Sequence, residues 1–328
     1  MLPMTMLFYS TLILSTLMAL SSSNWLTVWM GLELSMISFI PLMMTCPPAR
    51  HAGATTKYML AQSLGSSLLL LGAMSTWMES QIIPSHSIMI LGIITKMGMA
   101  PCHFWLPSVM SELPWSMCLI LTTWQKLIPM SLVIFHLNSI YPKTISLIAI
   151  LNSIMASIGG LNQTQIRILL AYSSMTHMGW IMLASLSSSL VASTYFIIYM
   201  INMVLLLWIF HTSSISMMSM PVLFSFPKTL KSAALMVTMS LAGLPPFPGF
   251  LPKWVMIYKM AEWKLSFLGP PMITGSIIAL LYYLNMFLCI FLYPSYNPKK
   301  NTPGIFMLFP LTMIAMFSFG LLTFIFSN

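Results

Sequence analysis

Residues 98–107 read GMAPCHFWLP, and residues 243–252 read GLPPFPGFLP. Aligned without gaps, Gly98 meets Gly243, Pro101 meets Pro246, Leu106 meets Leu251 and Pro107 meets Pro252, while Trp105 stands opposite the aromatic Phe250. Each segment interrupts an otherwise continuous apolar run. Proline inside a helix removes a backbone hydrogen bond and breaks the helix. Both runs are therefore expected to be broken helices, at Gly98 and Pro101 in the first and at Gly243, Pro245 and Pro246 in the second. In lipid such a break survives only where it faces protein or a wet cavity. Interrupted spans at matching positions of two halves point to an ion pathway.

Composition supports lipid as the solvent. Hydrophobic residues make up 58% of the 328 residues and charged residues only 5%, against roughly 25% charged in an ordinary globular domain. The net charge is +9, from 13 basic and 4 acidic residues, all four of them Glu. The basic residues stand singly between apolar runs, without the clustered face that nucleic acid requires; that scatter fits loop residues that set membrane orientation. Cys46, Cys102, Cys118 and Cys289 form no C-x-x-C pair and read as small core residues. No nucleotide-binding glycine motif occurs. The N-terminus turns apolar within a few residues and lacks a basic n-region, which reads as a first span and not a removable signal. The 35 methionines fill apolar space as leucine does, and their number suggests a genome in which an Ile codon is read as Met, as in animal mitochondria.

About eleven spans follow from the apolar runs, near 4–21, 25–45, 58–77, 87–106, 115–137, 144–160, 165–185, 190–211, 231–258, 270–293 and 304–326. Turn-forming residues separate them: Ser21 to Asn24, Pro47-Pro48, Pro142-Lys143, Gly159-Gly160 and Asn297 to Lys300. The two broken spans are the fourth and the ninth, which cross the membrane in opposite directions. The fold expected is thus an all-α membrane protein, a single transmembrane domain with two inverted five-helix repeats, about 4–137 and 144–293, and an extra C-terminal helix at about 304–326. Arg50, Lys57, Arg167, Lys228, Lys231, Lys299 and Lys300 would lie on the N-terminal side, against Lys143, Lys259 and Lys264 opposite. That asymmetry places the N-terminus inside and the C-terminus outside.

Four charges fall within these spans or at the breaks: Glu33, Lys96, Lys126 and Lys253. Each costs on the order of 2.5–3.5 kcal/mol at a helix centre. Snorkelling rescues a lysine near a helix end, but Lys96 and Lys126 lie about ten residues from either end of their spans. Lys96 precedes the break at Gly98, and Lys253 follows directly on Pro252. A proton path requires groups that gain and lose a proton at working pH, which Lys and Glu can do and Arg cannot. A bland reading remains open, in which Glu33 and one lysine form a static ion pair. His103 and His177 lie in apolar surroundings and suit either proton relay or helix-to-helix hydrogen bonding. His51, His86, His136 and His211 fall near span ends. Arg167, in NQTQIR, reads as a loop or helix-start residue, and Trp25, Trp29, Trp77 and Trp263 suit interfacial anchoring.

Several long motifs also resemble one family: WMGLEL around Glu33, TKMGMAPCHFWLP around Lys96, TTWQKLIP around Lys126, GGLNQTQIRILLAYSSMTHMGW at 159–180 and LAGLPPFPGFLPKW at 241–254. In register from about residue 20 to 260, they are similar to the mitochondrial NADH dehydrogenase (ubiquinone) subunit 2 family, antiporter-like membrane-arm subunits of respiratory complex I. The resemblance implies proton translocation across the mitochondrial inner membrane, with the N-terminus on the matrix side and the C-terminus on the intermembrane-space side. Glu33 would match the family's acidic residue ahead of the first broken helix, Lys96 and Lys253 its broken-helix lysines, and Lys126 its central lysine. It implies no cofactor or metal in this chain; NADH, FMN, iron–sulfur clusters and ubiquinone would belong to partner subunits of the NADH:ubiquinone reductase. Partners would be flanking antiporter-like and small hydrophobic subunits, accessory subunits and lipids. Many relatives carry an acid directly after the HFW-x-P proline, where this chain has Ser108, with Glu112 four residues later. Two rival readings are a stand-alone cation/proton antiporter and a scaffold subunit of the same complex.

Overall fold

A computed structural model describes residues 2–45, 50–77, 85–137, 142–212, 228–245, 247–262 and 266–292. Every regular element among them is helical. Among the described residues seven stretches are long and apolar enough to cross a membrane, and the shorter apolar helices His86–Met97 and Leu230–Ala242 are those that end at breaks. The expected span at 304–326, the loops at 47–48 and 297–300, and the residues Cys46, Pro246 and Trp263 lie outside the described residues. The chain divides into two compact units, Met1–Ile145 and Ser146–Asn328.

In the first unit, α1 (Leu2–Ser21), α2 (Trp25–Met44) and α3 (Arg50–Trp77) are long apolar helices. The broken span consists of α4 (Ser85–Met97) and α5 (Trp105–Glu112), followed by α6 (Trp115–Thr122), a 3-10 turn (Trp124–Lys126), α7 (Leu127–Leu132) and a π-helical turn (Val133–Leu137). The fourth span thus runs on past 106 to Glu112. It ends because Pro114 forces Leu113 into extended backbone, φ −80 and ψ 150. Small residues set the closest approaches, as expected where lipid supplies no hydrophobic drive between helices. A Cβ on Gly31 would lie 2.7 Å from that of Ala19, and one on Gly92 would lie 2.8 Å from the carbonyl of Gly65. Large apolar side chains such as Leu14, Ile37 and Leu60 stay exposed, which suits a surface solvated by lipid.

The fifth span, expected as one helix over 115–137, has an irregular centre. Pro129 has no N–H and its ring clashes with the carbonyl four residues back, that of Gln125. The backbone tightens there into the 3-10 turn, with Lys126 N donating to the Thr123 carbonyl at 3.2 Å. Lys126 therefore stands at a third backbone irregularity.

In the second unit, residues 146–161 continue α8 (Pro142–Leu161). Then come α9 (Ile166–Ser187), α10 (Ser189–Thr212), α11 (Lys228–Ala242), α12 (Phe250–Glu262) and α13 (Gly269–Leu292). Asn152 Nδ2 donates to the Met175 carbonyl at 2.6 Å, tying α8 to α9. Gly179 and Gly275 bring α9 and α13 against the backbone of α8, at Ala149 and Ser153.

Both breaks close in the same way. Gly98 has φ 68 and Gly243 has φ 79, the left-handed region open to glycine. Gly98 N donates to the Thr95 carbonyl at 3.2 Å and Met99 N to that of Ile94 at 3.1 Å. Gly243 N donates to the Ser240 carbonyl at 3.0 Å and Leu244 N to that of Met239 at 3.4 Å. These are two Schellman caps, which satisfy carbonyls that lipid could not. Alanine at either glycine should lose about 1–2 kcal/mol from the left-handed backbone. Gly98→Ala should lose more than Gly243→Ala, because its Cβ would press on Leu106 Cβ at 3.0 Å and the Trp105 ring at 3.1 Å, whereas at Gly243 it meets the movable end of Lys253 at 2.7 Å. Thermal stability of the solubilised wild-type and variant proteins checks both the losses and their order.

Candidate functional site

Lys96 occupies the last turn of α4 and is 6% exposed. Its position rests on contacts made around it. Gln62 Nε2 of α3 donates to its carbonyl at 3.1 Å, and the Trp105 indole of α5 donates to the Thr95 carbonyl at 3.0 Å, so α5 caps the helix that precedes it. Gly65 leaves room for its stem, since a Cβ there would lie 2.7 Å from Lys96 Cγ. The Trp105 ring meets Tyr58 edge-on at 5.9 Å, and Tyr58 meets Phe39 at 5.3 Å. This aromatic row joins α2, α3 and α5 beside the lysine. Glu33 of α2, partly buried, acts electrostatically on both Lys96 and Tyr58.

Lys126 is 2% exposed and lies in the turn that closes α6. Thr123 Oγ1 donates to the Leu119 carbonyl at 2.5 Å, and Gln125 Nε2 reaches the Ser35 carbonyl of α2 at 3.5 Å. In the first unit the structure thus gathers Glu33, Lys96 and Lys126 on elements that contact α2 or its neighbours.

Lys253 belongs to the second unit and is only partly buried. Its ammonium donates to the Ala242 carbonyl at 3.2 Å, across the break to the last residue of α11. The sequence places Lys96 before its break and Lys253 after its own. In space Lys253 reaches back, so each belongs to the carbonyl end of the half-helix preceding the break. That end carries partial negative charge and favours a cation. Lys253 is accordingly a helix cap as well as a candidate proton carrier.

His103 is 4% exposed, with Nδ1 3.2 Å from the Pro101 carbonyl and its ring stacked on Phe104 at 4.2 Å. It lies within the first break. His177 of α9 is 4% exposed, and its Nδ1 is 3.3 Å from the Tyr195 hydroxyl. Arg167 starts α9 as the sequence suggests, yet it is 6% exposed and not a solvated loop residue. Cys118 is buried, but Cys102 is exposed in the first break and does not serve as core. Glu112 pairs with Lys57 of α3 at 2.9 Å. Ser108 Oγ donates instead to the Trp105 carbonyl at 2.9 Å.

Sequence reasoning missed the buried tyrosines of the second unit, Tyr195, Tyr199, Tyr282 and Tyr283. Their signal was available: Tyr195 and Tyr199 lie one helical turn apart in an apolar run, which places two phenols on one face.

Comparison with known proteins agrees with this geometry. Residues 22–281 match the NADH:quinone oxidoreductase/Mrp antiporter transmembrane family. The chain is 41% identical to NADH-ubiquinone oxidoreductase chain 2 of Lumbricus terrestris over 288 residues, covering 87% of this chain and 86% of that one. It is 37% identical to the protein of the same name from Oryzorictes hova, covering 95% of each. Its fold is similar to a chain of respiratory complex I from Thermus thermophilus, with a TM-score of 0.85 at 22% identity, covering 98% of this chain and 78% of that one. It is also similar to a chain of the Mrp complex from Dietzia sp., with a TM-score of 0.77 at 17% identity, covering 90% of this chain and 64% of that one. The match over residues 22–281, with relatives 37% and 41% identical over most of their length, shows one membership: the chain belongs to the NADH:quinone oxidoreductase/Mrp antiporter transmembrane family, and proteins named NADH-ubiquinone oxidoreductase chain 2 are among its relatives.

Proposed function

We propose that this chain is a core membrane subunit of a proton-translocating NADH:ubiquinone oxidoreductase, and that it moves protons across the membrane through Glu33, Lys96, Lys126 and Lys253. The observation that carries this reading is the coincidence of each lysine with a helix break or an irregular turn in an apolar stretch of the chain. A break exposes backbone dipoles that can be hydrated, and a hydrated lysine can exchange a proton with water. Changing the charge on one member alters the electrostatic cost of charge on its neighbours, so proton loading and release can alternate along the row. His103 and His177 are the relays nearest in kind, since imidazole takes a proton on one nitrogen while releasing it from the other.

The reading extends to topology and setting. The chain forms eleven spans in one transmembrane domain, two inverted five-helix repeats at about 4–137 and 144–293 and a last helix at about 304–326. The N-terminus faces the matrix and the C-terminus the intermembrane space of the mitochondrial inner membrane. Matching Schellman caps at Gly98 and Gly243 support the repeat. NADH oxidation, with its flavin and iron–sulfur centres, and ubiquinone reduction belong to partner subunits. Flanking antiporter-like and small hydrophobic subunits, accessory subunits and lipids cover the apolar surface. Redox energy reaches this chain as a change of charge or conformation at its boundary.

A stand-alone antiporter reading draws on the fold shared with the Mrp complex. It is less favoured because Glu33 is the one acid on the proposed path, and a metal cation needs several oxygen ligands. Native electrophoresis of mildly solubilised membranes separates the two, with in-gel NADH oxidation and mass spectrometry of each band. Peptides of this chain are expected in the large NADH-oxidising band; their confinement to a small inactive band would support the antiporter. Within the assembled complex, Lys96→Met is expected to lower the protons moved per electron. An unchanged ratio there would favour a scaffold.

A further inference from the structure

The second unit carries a shallow groove that the proposed proton path does not use. Leu183 and Leu186 of α9, Met256 and Met260 of α12, and Leu268 of the 3-10 turn Ser266–Leu268 form its apolar walls. Its polar side chains are Ser187 and Lys259. The Ser187 hydroxyl donates to the Ala184 carbonyl at 2.8 Å and lies 3.7 Å from Met256 Sδ. Its proton is engaged within α9, so Lys259 supplies the charge of the groove.

Helix geometry sets the depth of that charge. The apolar helix Leu230–Ala242 is about 20 Å long, and the stretch of α12 from Phe250 to Lys259 adds about 14 Å. Laid end to end, the two slightly exceed a hydrocarbon layer about 30 Å thick. Lys259 therefore stands at the level of the lipid headgroups. Aromatic side chains mark the same level: Tyr258 and Phe267 are both exposed, as in the aromatic belt of a membrane interface.

Two simpler roles are available to Lys259. A lysine in the last turn of a helix complements the helix dipole, and its stem snorkels to water. Neither accounts for the apolar groove that it borders. Among the described residues the one ion pair is that of Lys57 with Glu112. Glu262, the acid nearest Lys259 in sequence, sits against the Tyr258 hydroxyl. A single lysine beside an apolar groove at headgroup depth matches a molecule with one negative charge and a hydrocarbon chain.

We infer that the groove binds an anionic phospholipid, with its phosphate on the Lys259 ammonium and one acyl chain along Met256, Met260 and Leu268. The two methionines suit this occupant, because their flexible thioether chains adapt to an irregular apolar surface. Attraction of an anionic lipid to one lysine at the membrane surface gives a preference of about fivefold over a lipid without net charge. The site is independent of the proton path.

Photo-crosslinking tests this on the assembled complex. Two probes carry the same diazirine acyl chain, one on phosphatidylglycerol and the other on phosphatidylcholine. Each is exchanged into the purified complex and irradiated, and its adducts are located by peptide mass spectrometry. The phosphatidylglycerol probe should label Met256, Met260 or Leu268 about fivefold more than the phosphatidylcholine probe. Lys259→Gln should bring that labelling down to the phosphatidylcholine level and leave labelling elsewhere on the complex unchanged. If the variant does not assemble, high salt should reduce the preference in the wild-type complex by screening. Equal labelling by the two probes would overturn the proposal. A preference that persists in Lys259→Gln, or in high salt, would overturn the role of Lys259. Absence of groove adducts from both probes would mean that a partner subunit covers the groove, and would overturn the lipid site.

Discussion

A backbone amide or carbonyl inside a bilayer has no water to bond, so any interruption of a helix there must be satisfied from within the protein. The placement of the candidate site depends on this constraint. At Gly98 and Gly243 the chain turns through left-handed backbone and closes a Schellman cap. Side chains complete the caps: Gln62 reaches the Lys96 carbonyl, the Trp105 indole adds a second bond to that of Thr95, and the Lys253 ammonium reaches Ala242. A break satisfied in this way presents the carbonyl end of a half-helix inside the membrane. That end is a favourable place for a cation, and a lysine is found beside each.

Charge and backbone are therefore coupled in this fold. A buried lysine is expensive in an unbroken helix, by on the order of 2.5–3.5 kcal/mol; a break supplies dipoles that offset part of the cost. Conversely, moving the proton off Lys253 would weaken its hold on the Ala242 carbonyl. The protonation state can thus act on helix position, and helix position on protonation. Such reciprocity is what a pump requires, since it links a chemical step to access from one side. In the first unit, Glu33 acts electrostatically on Lys96, which gives the proposed path a member of opposite sign.

Much of this was legible in the sequence, and for definite reasons. Glycine and proline are strong punctuation in an apolar run, so Gly98, Pro101 and Gly243 could be read as interruptions. Charges are so rare here that Lys96, Lys126 and Glu33 stood out by burial cost alone. The irregular turn at Lys126 was not read, because its cause is Pro129, three residues later and within a run that otherwise scans as one helix. Nor could the reach of Lys253 back to Ala242 be read, since spacing in sequence does not say which way a flexible side chain folds. The pairing of Lys57 with Glu112 joins helices far apart in the chain, and nothing in the spacing of the two residues announces it. The tyrosines around His177 escaped notice because α10 and α13 are apolar on nearly every face, and a phenol in such a helix reads as packing.

The central claim is that the buried lysines work by gaining and losing a proton and not by holding a fixed charge. Lys126→Arg isolates the difference, because arginine keeps the positive charge and cannot be deprotonated in proteins. The measurement is the number of protons translocated per electron by reconstituted complex carrying that substitution, at a turnover matched to wild type. Proton transfer at Lys126 requires a clear fall in that number with assembly intact. A number equal to wild type would mean that a static charge suffices, and would contradict the claim.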